Sequence, residues 1–330
     1  MFEVDNISHK LMIYAGIIMY IFGSIGNILN IYVFTIWSRT KKTSNKHSHS
    51  CRTNNSSLYL LVSSISNLIV ILYPLFTRIM LDGYEYHITK HNVFIICKLR
   101  YYILHTCDVI SLTCICLATF DRYLISSRKV RLRKLSTTRK QTKLILLFII
   151  CLFGIHSIPI FKYYSVSKTG YCTIISTIYL YYYLYTFQIF LHGIIPIIFL
   201  SVFGILTFKQ LRIISKRKNH YGTMNFDKQL SRMLLLISLA IILSSIPYCI
   251  EQSYLVLFKK NNRQYKSYFR LYHVACSILY YTNPVTSFYI YYISTRSFRL
   301  QIHKMFCSTR NTHLVIVYRV KPITMSKQDF

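Results

Sequence analysis

Cys116-Leu117-Ala118-Thr119-Phe120-Asp121-Arg122-Tyr123 closes an apolar segment that begins at Cys97 and runs directly into a cationic stretch from Ser126 to Lys143. At about 1.5 Å per residue, Cys97 to Tyr123 as one helix reaches roughly 40 Å, the thickness of a bilayer with its interfaces. One end is therefore extracellular and the other cytosolic. An adjacent acid and base at the mouth of an apolar helix are costly unless they face a polar cleft, which makes Asp121 and Arg122 functional candidates. The plain alternative is an interfacial ion pair, with Arg122 snorkelling to the headgroups.

The rest of the chain agrees with a membrane reading. Its 330 residues are 53% apolar, yet they include 40 Lys and Arg against 9 Asp and Glu, a net charge of +31. The apolar residues gather into seven runs, near 11–36, 57–80, 97–123, 143–161, 178–208, 229–257 and 269–293, with most charges between them. The loops 37–56, 124–143 and 209–232 and the tail after Ser294 hold 27 Lys and Arg; the other side holds 12, and Arg122 stands within a span. The positive-inside rule puts the richer side in the cytosol and the N-terminus outside. On a soluble domain such charge would suit nucleic acid. Confined to alternate loops, it points instead to anionic membrane lipids and an acidic cytosolic partner, with no nucleic acid.

The predicted fold is an all-α membrane protein of the plasma membrane, a seven-transmembrane helix bundle over 11–293. A short extracellular N-terminus at 1–10, an amphipathic helix at 294–307 and a disordered cytoplasmic tail at 308–330 flank it. The first run is too long for a cleaved signal and follows Glu3 and Asp5 rather than a basic segment, so it reads as its own signal anchor. Asn6-Ile7-Ser8 is an outer glycosylation sequon, whereas Asn54-Asn55-Ser56-Ser57 holds two more that read as cytosolic loop and stay bare. Most of the 10 cysteines sit within spans as small apolar residues. Cys97 and Cys172 both fall on the oxidising outer side, where a bridge would close a loop of about 75 residues. Cys307, beyond the last span, either suits palmitoylation or is an idle thiol.

Asp121-Arg122-Tyr123, with Arg122 twenty-five positions after Cys97, resembles the third helix of the rhodopsin-like family of G-protein-coupled receptors, most nearly its divergent invertebrate members. Gly26-Asn27, Pro196, Pro247 and Asn283-Pro284 stand in order where that family carries the same residues, and the resemblance covers roughly Leu11 to Cys307. It implies the Cys97–Cys172 pairing, an extracellular ligand and an outward swing of the sixth helix. That swing would free Arg122 from Asp121 and Asp227 and admit a heterotrimeric G protein. Asp227, twenty residues before Pro247, is either this latch or a solvated acid among basic neighbours. No cofactor, metal or enzyme chemistry is implied. The chain also departs from the family. Asn67 replaces the usual sodium-binding aspartate, which removes most of the attraction for a monovalent cation, though its amide can still bridge Asn27 and Asn283 by hydrogen bonds. Ser245 stands for the usual tryptophan, and Ser287 for the tyrosine after Pro284, with Tyr289 two places later.

Asp108 is the acid in the apolar depth of the bundle, with His105 near it on the outer side and Ser111 one turn further in. Two readings stand: a ligand-contacting or pocket-organising acid, and a structural hydrogen-bonded one. Leu104 occupies the place of the aspartate of amine receptors and Ser277 that of the retinal lysine of opsins, which disfavours both ligands. Tyr182, Tyr185 and Gln188 lie in an aromatic run that reads first as an interfacial belt and second as ligand-facing. Tyr248 and Glu251, beside and one turn beyond Pro247, complete the expected pocket. Lys259, Lys260, Arg263 and Lys266 form a basic outer rim, so the expected ligand is a short peptide with a carboxylate end. A receptor for a lipid or small molecule is the alternative. A transporter using Asp108 and Glu251 as coupling acids is more distant, because no repeat and no pair of broken helices is evident.

Overall fold

The computed structural model describes residues 2–39, 53–86, 88–89, 92–127, 129–167, 172–217, 223–257 and 266–307. The main helices are α1 (Phe2–Arg39), α2 (Thr53–Val70, continued by wider turns to Gly83), α3 (Arg100–Ser126, entered through Val93–Leu99) and α4 (Arg139–His156). They are followed by α5 (Ile195–Arg217), α6 (Thr223–Leu257), α7 (Lys266–Ser294) and α8 (Arg296–Cys307). Thr177–Tyr182 and a π-helical stretch, Tyr183–Ile194, lead into α5. Among the described residues, six segments are long and apolar enough to cross a bilayer: 4–39, 55–83, 93–126, 139–163, 177–210 and 229–251. The seventh, α7, is as long, but Arg270, His273, Thr282, Asn283 and several serines and tyrosines make it more polar.

The packing closes a ring. α1 lies against α2 and α7, α6 against α5 and α7, and α3 runs through the middle, touching α2, α4, α5 and α6. The outward faces are apolar: Ile18, Phe22 and Ile25 on α1 and Leu144, Phe148 and Ile155 on α4 are exposed. A surface of that kind needs lipid around it.

Helices continue past the apolar runs. Hydropathy reports the hydrocarbon depth, while the helix goes on through the interface with polar side chains. The stretch expected as an extracellular tail is therefore helical from Phe2, and Asn6 is exposed on that helix. Asp5 suits the positive end of the helix dipole; it lies 3.8 Å from Arg270, and the buried Ser8 hydroxyl donates to its carbonyl at 2.7 Å. At the other face of the membrane α2 begins at Thr53, so Asn55 and Ser56, expected in a loop, are helical and buried.

Small residues let α1 approach its neighbours. A Cβ on Gly26 would stand 2.8 Å from Cβ of Phe288, and one on Gly23 would meet Ile71 and Val285. Asn27 Nδ2 donates to the Gly23 carbonyl at 2.9 Å and across to the Pro284 carbonyl at 2.8 Å, and Asn30 donates to Ser287 at 3.2 Å. Trp37 is buried, edge-on to Phe34 and Phe298. Through Phe298 and Ile302, both buried, α8 sits on the bundle, while Cys307 at its end is exposed.

At the outer end, β1 (Tyr164–Val166) pairs antiparallel with β2 (Cys172–Ile174). The Cys97–Cys172 disulfide, with Cα atoms 5.7 Å apart, ties this hairpin to the entry of α3. Cys97, Ile160, Tyr164, Tyr179 and Tyr183 pack beneath it. Lys259, Lys260, Arg263, the tail from 308 to 330 and the side chains of Lys266 and Asp227 lie outside what is described.

Candidate functional site

At the cytosolic end of α3 the pair seen in the sequence is drawn inward. Arg122 is only 1% exposed, so it does not snorkel. Ser56 of α2 stands between the two charges: its hydroxyl donates to Asp121 Oδ2 at 2.5 Å and accepts from Arg122 Nε at 2.8 Å. Ser136, in the connection to α4, donates to Asp121 Oδ1 at 3.1 Å, and Asn55 donates to the Thr137 carbonyl. These hydrogen bonds join α2, α3 and the loop before α4 around the Asp121–Arg122 pair. Tyr123 turns the other way, its ring 5.3 Å from Phe203 of α5. Sequence reasoning misses Ser56, because a run of Asn and Ser favours turns and caps over helix interiors.

Halfway up, Asp108 is engaged from two sides. The Tyr280 hydroxyl of α7 donates to its Oδ2, and His192 Nε2, from the segment leading into α5, lies 2.6 Å from the same oxygen. His192 Nδ1 is 2.8 Å from the Phe187 carbonyl. A carbonyl only accepts, so Nδ1 carries a proton while Nε2 faces the carboxylate. The ring of Tyr248 of α6 packs tilted against that of Tyr280 at 4.5 Å, which brings a fourth element to the group. One turn outward, His105 Nε2 meets the Tyr183 hydroxyl at 2.5 Å, and Gln188 Nε2 donates to that hydroxyl at 3.0 Å. Leu104 is buried in the apolar cluster that includes Tyr280. Tyr182 and Tyr185 stand apart on the exposed face, Tyr182 2.7 Å from His156 and Tyr185 stacked on Tyr181. Asn67 accepts from Ser111 at 2.7 Å, and Ser111 also meets Ser63 at 2.8 Å; Asn67 does not bridge to Asn27, which bonds to the Pro284 carbonyl instead.

Nearer the outer surface, Glu251 is fully buried against His273 Nδ1. The other ring nitrogen of His273 meets a terminal nitrogen of Arg78, which also donates to Ser277 at 2.9 Å. Arg78 Nε pairs with Asp82. A line of ionic groups therefore crosses from α6 through α7 to α2. A guanidinium only donates, so His273 Nε2 accepts and Nδ1–H points at Glu251. The signal for this line in the sequence is the i, i+4 spacing of Arg78 and Asp82 at the end of an apolar run, where they are easily counted with the loop charges. The structure thus brings Asp108, His105, Gln188, Tyr248 and Glu251 into the interior and adds His192, Tyr280, Arg78, Asp82 and His273.

Residues 26–291 match the family described as 7 transmembrane receptor (rhodopsin family). A comparison with curated proteins finds none that matches. The matched span opens at Gly26, where α1 meets α7, takes in the Asp121–Arg122 pair and the Asp108 group, and ends at Tyr291 beside α8. Members of this family are receptors rather than enzymes, and the apolar spans place the chain in the plasma membrane as a multi-pass protein. The chain belongs to the rhodopsin family of seven-transmembrane receptors.

Proposed function

We propose that this receptor takes up an extracellular peptide at the outer half of the bundle and passes the event to a heterotrimeric G protein at the cytosolic end. The observation that carries the coupling half is the hydroxyl of Ser56 held between Asp121 and Arg122. A buried cation held by a few hydrogen bonds is a two-state element, and a ligand needs only higher affinity for the open state to release it. Tyr123, Asp227, Pro247, Asn283 and Pro284 take part on this reading as elements of the same switch. The peptide half is supported by ions of both signs at the outer end, Arg78, Asp82, His273 and Glu251, which suit a ligand with several polar groups better than a hydrocarbon. Asn6 as a glycan site and Cys307 as an acylation site belong to the same proposal, with membrane lipids against α8.

Nucleotide exchange on a promiscuous G protein, screened with a peptide library and a lipid library against the receptor in nanodiscs, tests both halves. Activation by lipids and by no peptide would remove the peptide. Arg122→Ala should abolish exchange while surface expression persists; undiminished exchange would remove the coupling role.

A further inference from the structure

We propose that the groove between the fifth span and α6, open to the outer leaflet, binds a membrane lipid with a rigid apolar body and a single hydroxyl head, the chemistry of a sterol. The groove is a cavity of about 510 Å³, within the range of small-molecule sites. Ile189, Ile194 and Ile197 form one wall and Ile246 and Ile250 the other. Ile194, Ile246 and Ile250 are exposed, so the groove opens sideways into the hydrocarbon rather than into the bundle. Gly193 leaves the floor without a side chain, and a Cβ there would stand 3.8 Å from Cys249 Sγ. The Cys249 thiol donates to the Gln188 carbonyl at 3.5 Å and closes the inner side. Ser253 and Tyr254 line the outer end, just past the apolar span 229–251 and so at the level of the membrane interface.

Three properties choose the occupant. A dry apolar cavity takes no water, and lipid is the medium it opens to. From Ile246 to Tyr254 the helix rises about 12 Å, most of the roughly 15 Å hydrocarbon depth of one leaflet. An occupant with its polar end at Ser253 is therefore apolar along its length. The Ser253 hydroxyl gives its proton to the Cys249 carbonyl at 2.8 Å, and its oxygen can accept one bond from a lipid hydroxyl. A carboxylate or a phosphodiester has no such proton to give. Isoleucine is stiff about χ1 in a helix, so the facing isoleucines make walls of fixed shape. Such walls favour a fused-ring body, which loses no rotamer freedom on docking, over an acyl chain, which loses some at every bond. The site goes beyond the peptide reading, because its ligand comes through the membrane. Lodged between the fifth span and α6, a rigid body favours whichever spacing it fits.

The test is photolabelling of the full-length receptor in phosphatidylcholine nanodiscs that carry a diazirine analogue of cholesterol, with the adducts mapped on peptides. Labelling should saturate and concentrate on residues 189–197 and 246–254. Cholesterol should displace it at least about threefold better than its 3α epimer, whose hydroxyl points away from Ser253. Ser253→Val should raise the half-saturating mole fraction about three- to tenfold. Ile246→Trp, which fills the groove, should abolish the labelling, while Ile198→Trp, exposed on the same span but outside the groove, should leave it as in the parent. Labelling spread evenly over the exposed faces of α1 and α4, equal displacement by the epimer, or an unaltered response in Ser253→Val would overturn the site. A diazirine phosphatidylcholine that labels the groove and is not displaced by cholesterol would assign it to an acyl chain and overturn the sterol. No peptide or G protein enters the assay, so its outcome is independent of the ligand and coupling readings above.

Discussion

Replacing Ser56 by alanine removes one oxygen from the cytosolic end of the bundle. That oxygen gives a hydrogen bond to Asp121 at 2.5 Å and takes one from Arg122 at 2.8 Å, at a site with no solvent exposure. Each bond has an ionised partner and is worth about 1.5–3 kcal/mol. The two share one hydroxyl and are lost together, while the Ser136 contact to the other Asp121 oxygen is retained, so the net loss is on the order of 2–3 kcal/mol. If the open state makes neither bond, the whole loss falls on the closed state. The closed-to-open equilibrium then shifts by roughly 30- to 150-fold. Ligand-free nucleotide exchange by purified receptor and G protein, with unfolding temperature measured alongside, reads this directly. Ser56→Ala should raise basal exchange and lower the unfolding temperature, and Ser56→Thr, which keeps the hydroxyl, should stay near the parent. Unchanged basal exchange in a Ser56→Ala protein of lowered stability would refute the reasoning, because the bonds would then hold the fold without gating it.

Gly26→Ala should cost about 1–3 kcal/mol through overpacking, since its Cβ would stand 2.8 Å from Cβ of Phe288 and force α1 away from α7. Gly154→Ala, whose nearest new neighbour is the Tyr102 hydroxyl at 3.7 Å, should unfold like the parent in the same thermal assay. Tyr280→Phe removes a charge-assisted bond to Asp108 and should lower stability by about 1.5–3 kcal/mol; thermal unfolding identical to the parent would mean the bond is absent in the membrane. Cys172→Ser frees the hairpin from α3 and should reduce surface expression, and non-reducing peptide mapping of the parent should recover Cys97 and Cys172 joined.

The helix bundle with its apolar spans and the Asp121–Arg122 pair are legible in the sequence because each depends on local composition. An apolar run long enough to cross lipid has few other uses. Helix ends are less legible: Asn54 to Ser57 has the composition of a turn, yet Ser56 is held in α2 by Asp121 and Arg122, more than sixty residues away. Asp108 is conspicuous as an acid in an apolar run, but its partners His192 and Tyr280 are ordinary residues of polar-aromatic stretches. Only the mutual rotation of α3, α5 and α7 selects them.

That rotation depends on how the fifth span is wound. Its twelve residues Tyr183–Ile194 wind with hydrogen bonds to the fifth residue back, and the side chains of His192 and Gln188 likewise reach groups five residues earlier. A single slip to the ordinary four-residue pattern removes one residue from a turn and spins the segment beyond it by about 100°. Pro196, which has no N–H to give, interrupts the ladder just below, so the lower half of the span need not follow. A ligand that favoured the tighter winding would therefore act on this span as on a screw. It would carry His192 away from Asp108 and Tyr183 away from His105 in one turn, two settings that differ in angle while the helix axis stays where it is.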